Sequence, residues 1–520
     1  MESKEQLLTT KRINFSGGKM SVSELKKKSC WFYLSMAGVL CGILYCLLVV
    51  IGCFGITIFD STYDAKTTDH PLTVRDYAIV FDCGSSGTRA KAFFFDKEIT
   101  IQDNNLYEEI TSIDVAQFSD KQIKVDTSIF KGTEISYLDT GLHTLDDPLD
   151  SVKQITGLLD VVLPDLEKLV KNSKYTNTPR INVLIYCTGG IRSLKNTARY
   201  EKFGFIRDEL YKKYPNINHE IKLISGKDEG DYAFRASQFL MENLDRKSDD
   251  VFSSDIESLA VMEMGGSSLQ LVLPVDTSTL SQKHKIIFGP SIKKQDQQNH
   301  LNKPDHFIQS WNGLGIDQIF TKYKKYVSPE SNNYLPSEKE DPHFYLNWND
   351  PCRNDFKKCH QILSEKADSI LLNCYESGLL CSQDQKIALK QLKEIHFLIG
   401  NSVINHSIHI FGLSVFNYVA KDLRHFEEKY QSTRTNSNGL SEKLTIQKLR
   451  NLTTKFCQLN QSEITNMYPG NKFADLLCFQ GTWFTVLFEK WGIEGIYPTG
   501  EIDGIEVSWS LGAVLDKFPM

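Results

Sequence analysis

The chain opens on two contrasting patterns. An apolar run from Cys30 to Phe59 carries no charged residue. About 20 such residues cross a bilayer as a helix, so the run predicts one transmembrane anchor at 30–59. Residues 1–29 and 60–76 show no apolar period and read as a polar tail and a short stalk. From Tyr77 onward, short β-branched and aromatic runs bounded by Gly, Asp and Ser alternate with helical stretches, which predicts an α/β fold. Residues 284–360, rich in Asn, Gln, Lys, Pro and Asp, read as loops inserted into it.

A single pattern occurs twice within that α/β region. YAIVFDCGSSGTRAKAFFFD (77–96) and LAVMEMGGSSLQLVLPV (259–275) each run from an apolar strand, past an acid near its end, through a Gly/Ser turn into another apolar strand. Both predict hairpins with polar tips. Two further segments, RINVLIYCTGGIRSL (180–194) and IKLISGKDEGDYAF (221–234), run from an apolar strand through a polar turn into a helix. Ser225 and Asp228 are spaced as a capping box, which puts Glu229 in the first helical turn.

Charge and length narrow the chemistry. A formal charge of -6 with 24% charged residues and no long run of one sign argues against a nucleic-acid binder. At 520 residues the chain exceeds one hydrophobic core, so two or three domains, and a cleft between lobes, are expected. Lys26, Lys27 and Lys28 precede the apolar run and Asp60, Asp64 and Asp69 follow it. The positive-inside rule then predicts a type II single-pass protein with a cytosolic N-terminus. Everything after Phe59 would then be lumenal or extracellular. Of the 12 cysteines, Cys30, Cys41, Cys46 and Cys53 lie in the run. Cys83 and Cys187 end apolar strands and read as buried thiols. Cys352, Cys359, Cys374, Cys381, Cys457 and Cys478 form an even set in an oxidising compartment, which predicts three bridges of unspecified pairing. Sequons stand at Asn405, Asn451 and Asn460.

The tips suit anionic oxygen. Turns such as GSSGT and GGSS present backbone N–H groups as a nest for phosphate. Ser85, Ser86, Thr88, Ser267 and Ser268 add hydroxyls. Two tips facing one another would grip a polyphosphate from both sides, with Asp82 and Glu263 placed to hold a hard cation, Mg2+ or Ca2+, directly or through water.

Four segments in order, DCGSSGTR at 82, TGGIR at 188, SGKDEG at 225 and EMGGSSLQ at 263, resemble the first four conserved regions of the apyrases, the nucleoside triphosphate diphosphohydrolases. CFQGTWFTVLF (478–488) resembles a fifth, and the tail VSWSLGAVL is similar to the family's closing W-x-L-G strand. The resemblance covers about residues 77 to 516. It implies the two-lobed actin/hexokinase-like, ribonuclease H-like fold with a central nucleotide cleft. Lobe I would take 77–225 and regain about 496–516, lobe II 226–495. A bridge between Cys457 and Cys478 is implied as well. So is hydrolysis of the terminal phosphate of nucleoside di- or triphosphates. Glu229 would be the general base, with Ser268 and Gln270 orienting the attacking water and Thr188 lining the site. Gly84, Ser85, Ser86, Gly87, Thr88 and Arg89 would form one phosphate loop, and Gly265, Gly266 and Ser267 the other. Asp82 and Glu263 would serve the metal, and Tyr418 in HIFGLSVFNYVAKDL would stack on the base. Arg192 would either contact phosphate or tie its lobe together. Phe411, Phe416 and Tyr418 read equally well as core.

One departure from the family pattern stands out: Glu263 replaces an aspartate and is one methylene longer, which could bring its carboxylate into the metal's shell or displace its waters; Gly189 for an alanine and Leu269 for a threonine read as mild changes. The cysteines in DCGSSGTR and IYCTGG resemble the branch of Golgi and lysosomal membranes. Two other readings fit portions of the sequence: an exopolyphosphatase of the same superfold, which shares the Gly-rich loops, and a catalytically weak nucleotide-binding module.

Overall fold

The computed structural model describes residues 72–102, 105–115, 141–172, 181–247, 259–293, 305–327, 350–372, 383–401, 408–431, 442–471, 473–502 and 505–518. The tail, the anchor at 30–59 and the stalk up to residue 71 lie outside them. Among the described residues no helix is long and apolar enough to cross a membrane. The end of the expected stalk is corrected: strand β1 (Leu72–Cys83) begins at Leu72, because residues 72–76 continue the pairing with β2 (Thr88–Gln102).

Two sheets repeat one plan. The first is five-stranded, in the order β3-β2-β1-β4-β5, with β3 (Asn105–Val115), β4 (Ile181–Cys187) and β5 (Asn218–Leu223). Helices α1 (Pro148–Asn172), α2 (Gly189–Arg192) and α3 (Asn196–Lys213) intervene, and α4 (Gly226–Lys247) follows. The second sheet is seven-stranded, β11-β12-β10-β6-β7-β9-β8. Its strands are β6 (Leu259–Met264), β7 (Ser268–Val275), β8 (Ile292–Lys293), β9 (Asp305–Asn312), β10 (His409–Ser414), β11 (Leu444–Thr445) and β12 (Gly495–Pro498). The run β9-β7-β6-β10-β12 reproduces the first sheet's order. In each sheet the opening strand makes an antiparallel hairpin with the next and lies parallel to a later strand on its other side. The sequence echo is thus one unit of a duplicated architecture.

Period-two side-chain alternation assigns the faces. In β1, Tyr77, Ile79 and Phe81 enter a core with α1 and α3, whereas Ala78 and Val80 face the opposite way. In β6, Ala260 and Met262 enter the core of the second lobe, whereas Leu259 and Val261 join Ala78 and Val80. That shared core lies between the sheets and is filled by α4 and α14 (Trp509–Lys517). Continuing each alternation by two residues puts Asp82 and Glu263 on the shared side.

Several expectations change. The closing W-x-L-G segment is the helix α14, not a strand. Its apolar residues Trp509, Leu511 and Val514 serve the shared core, and bare Gly512 lies so close to α4 that a Cβ would stand 1.8 Å from the Tyr232 carbonyl oxygen. Residues 496–498 belong to the second sheet rather than to lobe I, because β12 pairs with β10, Phe411 opposite Tyr497. The stretch read as inserted loops contains α5 (Gln282–Phe288), β9 and α6 (Ile316–Val327). Phe307, Ile308 and Trp311 supply the buried positions of β9 that its polar flanks concealed. The remaining helices of the second lobe are α7 (Pro351–Asn354), α8 (Phe356–Leu372), α9 (Gln383–Asn401), α10 (Val415–Gln431), α11 (Ile446–Phe456), α12 (Gln461–Met467) and α13 (Leu477–Trp491). Disulfides join Cys352 to Cys359 and Cys457 to Cys478. Cys374, Cys381 and Asn405 lie outside the described residues. Asn451 and Asn460 are exposed. Cys83 and Cys187 are free, buried and opposite one another in β1 and β4.

Candidate active site

The two Gly/Ser turns close alike. Gly84 N–H donates to the Gly87 carbonyl at 2.9 Å, and Gly265 N–H to the Ser268 carbonyl at 3.0 Å. The first turn is tied down by Thr88, buried, whose hydroxyl donates to Gln154 Oε1 of α1 at 3.1 Å. Gly141 backs it so closely that a Cβ there would lie 2.6 Å from the Ser85 carbonyl oxygen. The second turn is held by the start of α6: Ile316 N–H donates to the Gly265 carbonyl at 2.9 Å and Asp317 N–H to the Gly266 carbonyl at 3.1 Å. The tips meet. A Cβ on Gly266 would stand 2.9 Å from Ser85 Oγ and 2.2 Å from Asp317 Oδ2.

Beside the tips lies a buried polar cluster drawn from both sheets. The expected capping box is present, with Asp228 N–H on Ser225 Oγ at 3.1 Å and Ser225 N–H on Asp228 Oδ2 at 3.0 Å. It starts α4 so that Glu229, 8% exposed, turns inward. Glu229 Oε2 accepts from Arg192 Nη2 at 2.8 Å and from Gln270 Nε2 at 3.1 Å. Gln270 Nε2 also donates to Ser268 Oγ at 2.8 Å, and Arg192 Nη2 reaches the same hydroxyl at 3.2 Å. Arg192 Nη1 donates to the Ile224 carbonyl at 3.1 Å, so this arginine joins the TGG turn, the start of α4 and β7. Thr188, buried, opens that turn, with its N–H on the Cys83 carbonyl at 3.1 Å. Bare Gly189 lets the turn approach Ser267; a Cβ on it would lie 2.9 Å from Ser267 Cβ.

Electrostatics single out the acids. Burial pushes Glu229 up, opposed first by Arg192, with Asp82 adding to the rise. Burial also raises Asp82, against Arg89, whose Nη1 is 3.8 Å from Asp82 Oδ2. Glu263, directly across from Gln270 in the β6–β7 ladder, is pushed well above the usual carboxylate range by burial and then by the charges of Glu229 and Asp82. Its Oε1 accepts from Ser414 Oγ at 3.0 Å, while Oε2 is buried without a partner. Three mutually repelling carboxylates, one with an orphaned oxygen, fit a hard cation. Among the described residues no group of three His, Cys, Asp or Glu could hold an ion alone. Mg2+, however, commonly keeps several waters and takes one or two carboxylates.

The aromatic segment divides. Phe411 and Phe416 are core, whereas Tyr418 is 56% exposed on α10, within electrostatic reach of Arg89, Asp82 and Glu263. The structure also adds residues the motifs did not mark: Ser414, Asp317, Gln154 and His143, whose Nδ1 is buried without a partner beside Gly190. Asp317 had a faint signal, an acid directly after GLG and Ile316, but an acid in a first helical turn usually only matches the dipole.

The family model described as GDA1/CD39 (nucleoside phosphatase) family matches residues 71–520. The chain belongs to this family. Membership makes it a nucleoside di- or triphosphate phosphohydrolase. Its similar relatives include ectonucleoside triphosphate diphosphohydrolase 7 of Xenopus tropicalis, 22% identical over 504 residues, covering 88% of this chain and 76% of that one. Golgi apyrase of Schizosaccharomyces pombe is 25% identical over 276 residues, 52% of this chain and 43% of the relative. A solved structure of nucleoside triphosphate hydrolases from Neospora caninum aligns with a TM-score of 0.51 at 15% identity, covering 89% of this chain and 95% of that one, a likeness of fold. The α/β actin-like architecture of the family thus agrees with the duplicated sheets.

Proposed function

We propose that this family member removes the terminal phosphate of nucleoside di- or triphosphates by direct attack of a water activated by Glu229. The observation that carries this reading is the buried cluster in which Arg192, Gln270 and Ser268 surround the Glu229 carboxylate beside the two touching turns. Burial makes Glu229 more basic than a free glutamate, which suits a group that takes a proton near neutral pH. Ser268 and Gln270 direct a lone pair of the water at phosphorus, in line with the departing oxygen. The new P–O bond forms as the bridging bond breaks, and the products are inorganic phosphate and a nucleotide one phosphate shorter. The turns at 84–89 and 265–267 hold the phosphates from both sides. Thr188 lines the water site, and the exposed ring of Tyr418 stacks on the base. Asp82 and Glu263 would hold Mg2+ or Ca2+, directly or through water, and the ion's charge would offset that of the phosphates. The apolar run 30–59, with lysines before it and aspartates after, supports a membrane anchor and a lumenal or extracellular enzyme.

The test is phosphate release by the full-length protein from ATP, ADP, UDP, GDP and inorganic polyphosphate. Glu229→Gln should lower the rate on the preferred nucleotide about a hundredfold or more. Equal rates for variant and wild type would remove Glu229 from the base role, and a preference for polyphosphate would remove the nucleotide reading.

A further inference from the structure

Ser414 is the only non-glycine residue with positive φ among the described residues, at 54°. It ends β10 just where α10 begins. Glycine is the default occupant of such a hinge, because a Cβ in the left-handed region is strained. Serine at this hinge therefore has to be accounted for by its side chain. That side chain donates to Glu263 Oε1 at 3.0 Å. β10 lies parallel to β6 with Leu413 opposite Glu263 and Ser414 opposite Met264, so regular alternation would aim the Ser414 side chain away from Glu263; with the left-handed backbone at 414 its hydroxyl instead reaches that carboxylate. The other oxygen, Oε2, is buried and unpartnered. A glutamate has one more rotatable bond than the aspartate usual in the family, and hence more orientations to restrict.

We propose that Ser414 is a positioning residue for Glu263, fixing Oε1 through its hydroxyl so that Oε2 is the oxygen presented to the divalent cation. The inference rests on the cation reading above. It predicts that the left-handed serine is retained for orientation, at a cost in backbone strain that glycine would relieve.

Mn2+ is the probe, titrated into full-length protein without nucleotide and followed by its electron paramagnetic resonance signal. Ser414→Gly keeps the backbone and loses the hydroxyl, as does Ser414→Ala on a strained backbone. Both should bind Mn2+ about tenfold more weakly, the usual scale for loss of an outer partner of a metal ligand. Ser414→Gly should melt no lower than wild type. In the Glu263→Gln background, Ser414→Gly should produce no further loss, since the two act as one unit. If Glu263→Gln weakens Mn2+ binding but Ser414→Gly does not, the Ser414 assignment is overturned and the cation reading stands. Wild type and Glu263→Gln binding Mn2+ alike would overturn both. Weakened binding in Ser414→Gly that appears only together with a lowered melting temperature would mark the serine as merely structural and overturn the proposal.

Discussion

At the scale of single residues, two side chains near the turns lend themselves to measurement. Asp317 is pushed up to about 6 by burial beside Gly266. A carboxyl whose folded pKa is raised contributes stability at low pH that is lost as pH rises through that value. In cation-free protein, Asp317→Asn and wild type should therefore melt together near pH 3, below the unfolded-state pKa. By pH 7.5 the variant should be more stable by about 3 kcal/mol, and a gap that is constant with pH would refute the ionisation. Gly189 replaces the alanine usual in the family, and a Cβ there would come within 2.9 Å of Ser267 Cβ. Contacts that short require a shift, and small misplacements of catalytic groups are costly. Gly189→Ala should lower kcat/KM about fivefold or more, with little change in melting temperature. Steady-state kinetics alongside thermal denaturation checks both halves. Neither effect was legible in the letters: TGG for TAG reads as a mild change until the second turn is seen against it.

At the scale of elements, α4 and α14 govern how the two sheets are held. Tyr232 Oη donates to Asp516 Oδ2 at 3.3 Å and Arg235 pairs with Asp516 at 3.3 Å, so the helices are joined along one side as well as packed at Gly512. Gly512→Ala would place a methyl 1.8 Å from the Tyr232 carbonyl oxygen, an obstruction that only backbone movement can relieve. Overpacking of this kind costs about 1 to 3 kcal/mol. Because α4 carries Glu229 in its first turn, the same substitution should reduce turnover as well. Urea unfolding and phosphate release measured together test this; a variant that loses stability with unchanged kcat would show that α4 does not transmit the displacement. The strand-turn-strand and strand-turn-helix segments were legible because period-two burial and Gly/Ser turns are local signals. The tail was not: its strand was only what the resemblance to the W-x-L-G segment implied, whereas the space between the sheets holds a helix with a bare glycine at its contact.

At the scale of the whole molecule, the duplicated sheet order aims the ends of β1 and β6 at one place. Burial raises the proton affinity of all three acids there; Asp82 adds to the rise of Glu229, and both add to that of Glu263, so the molecule is poised to gain from a positive charge. Chelation by EDTA should stop phosphate release, and Mg2+ or Ca2+ should restore it. Cation at about a hundred times its Kd should stabilise the fold by about 2.7 kcal/mol, read as a rise in melting temperature. Full activity after exhaustive chelation would overturn the proposed role of Asp82 and Glu263. By itself, the sequence determined the hairpins, their polar tips, the capped start of α4 and the family to which they point, because each is written in contiguous residues with a short physical period. Tertiary structure alone decided that Arg192 reaches Glu229, that Ser414 holds Glu263, and that Ser85 meets Gly266 next to Asp317. Those contacts join residues far apart in the chain. Their existence depends on how two sheets pack around two helices, which no local pattern encodes.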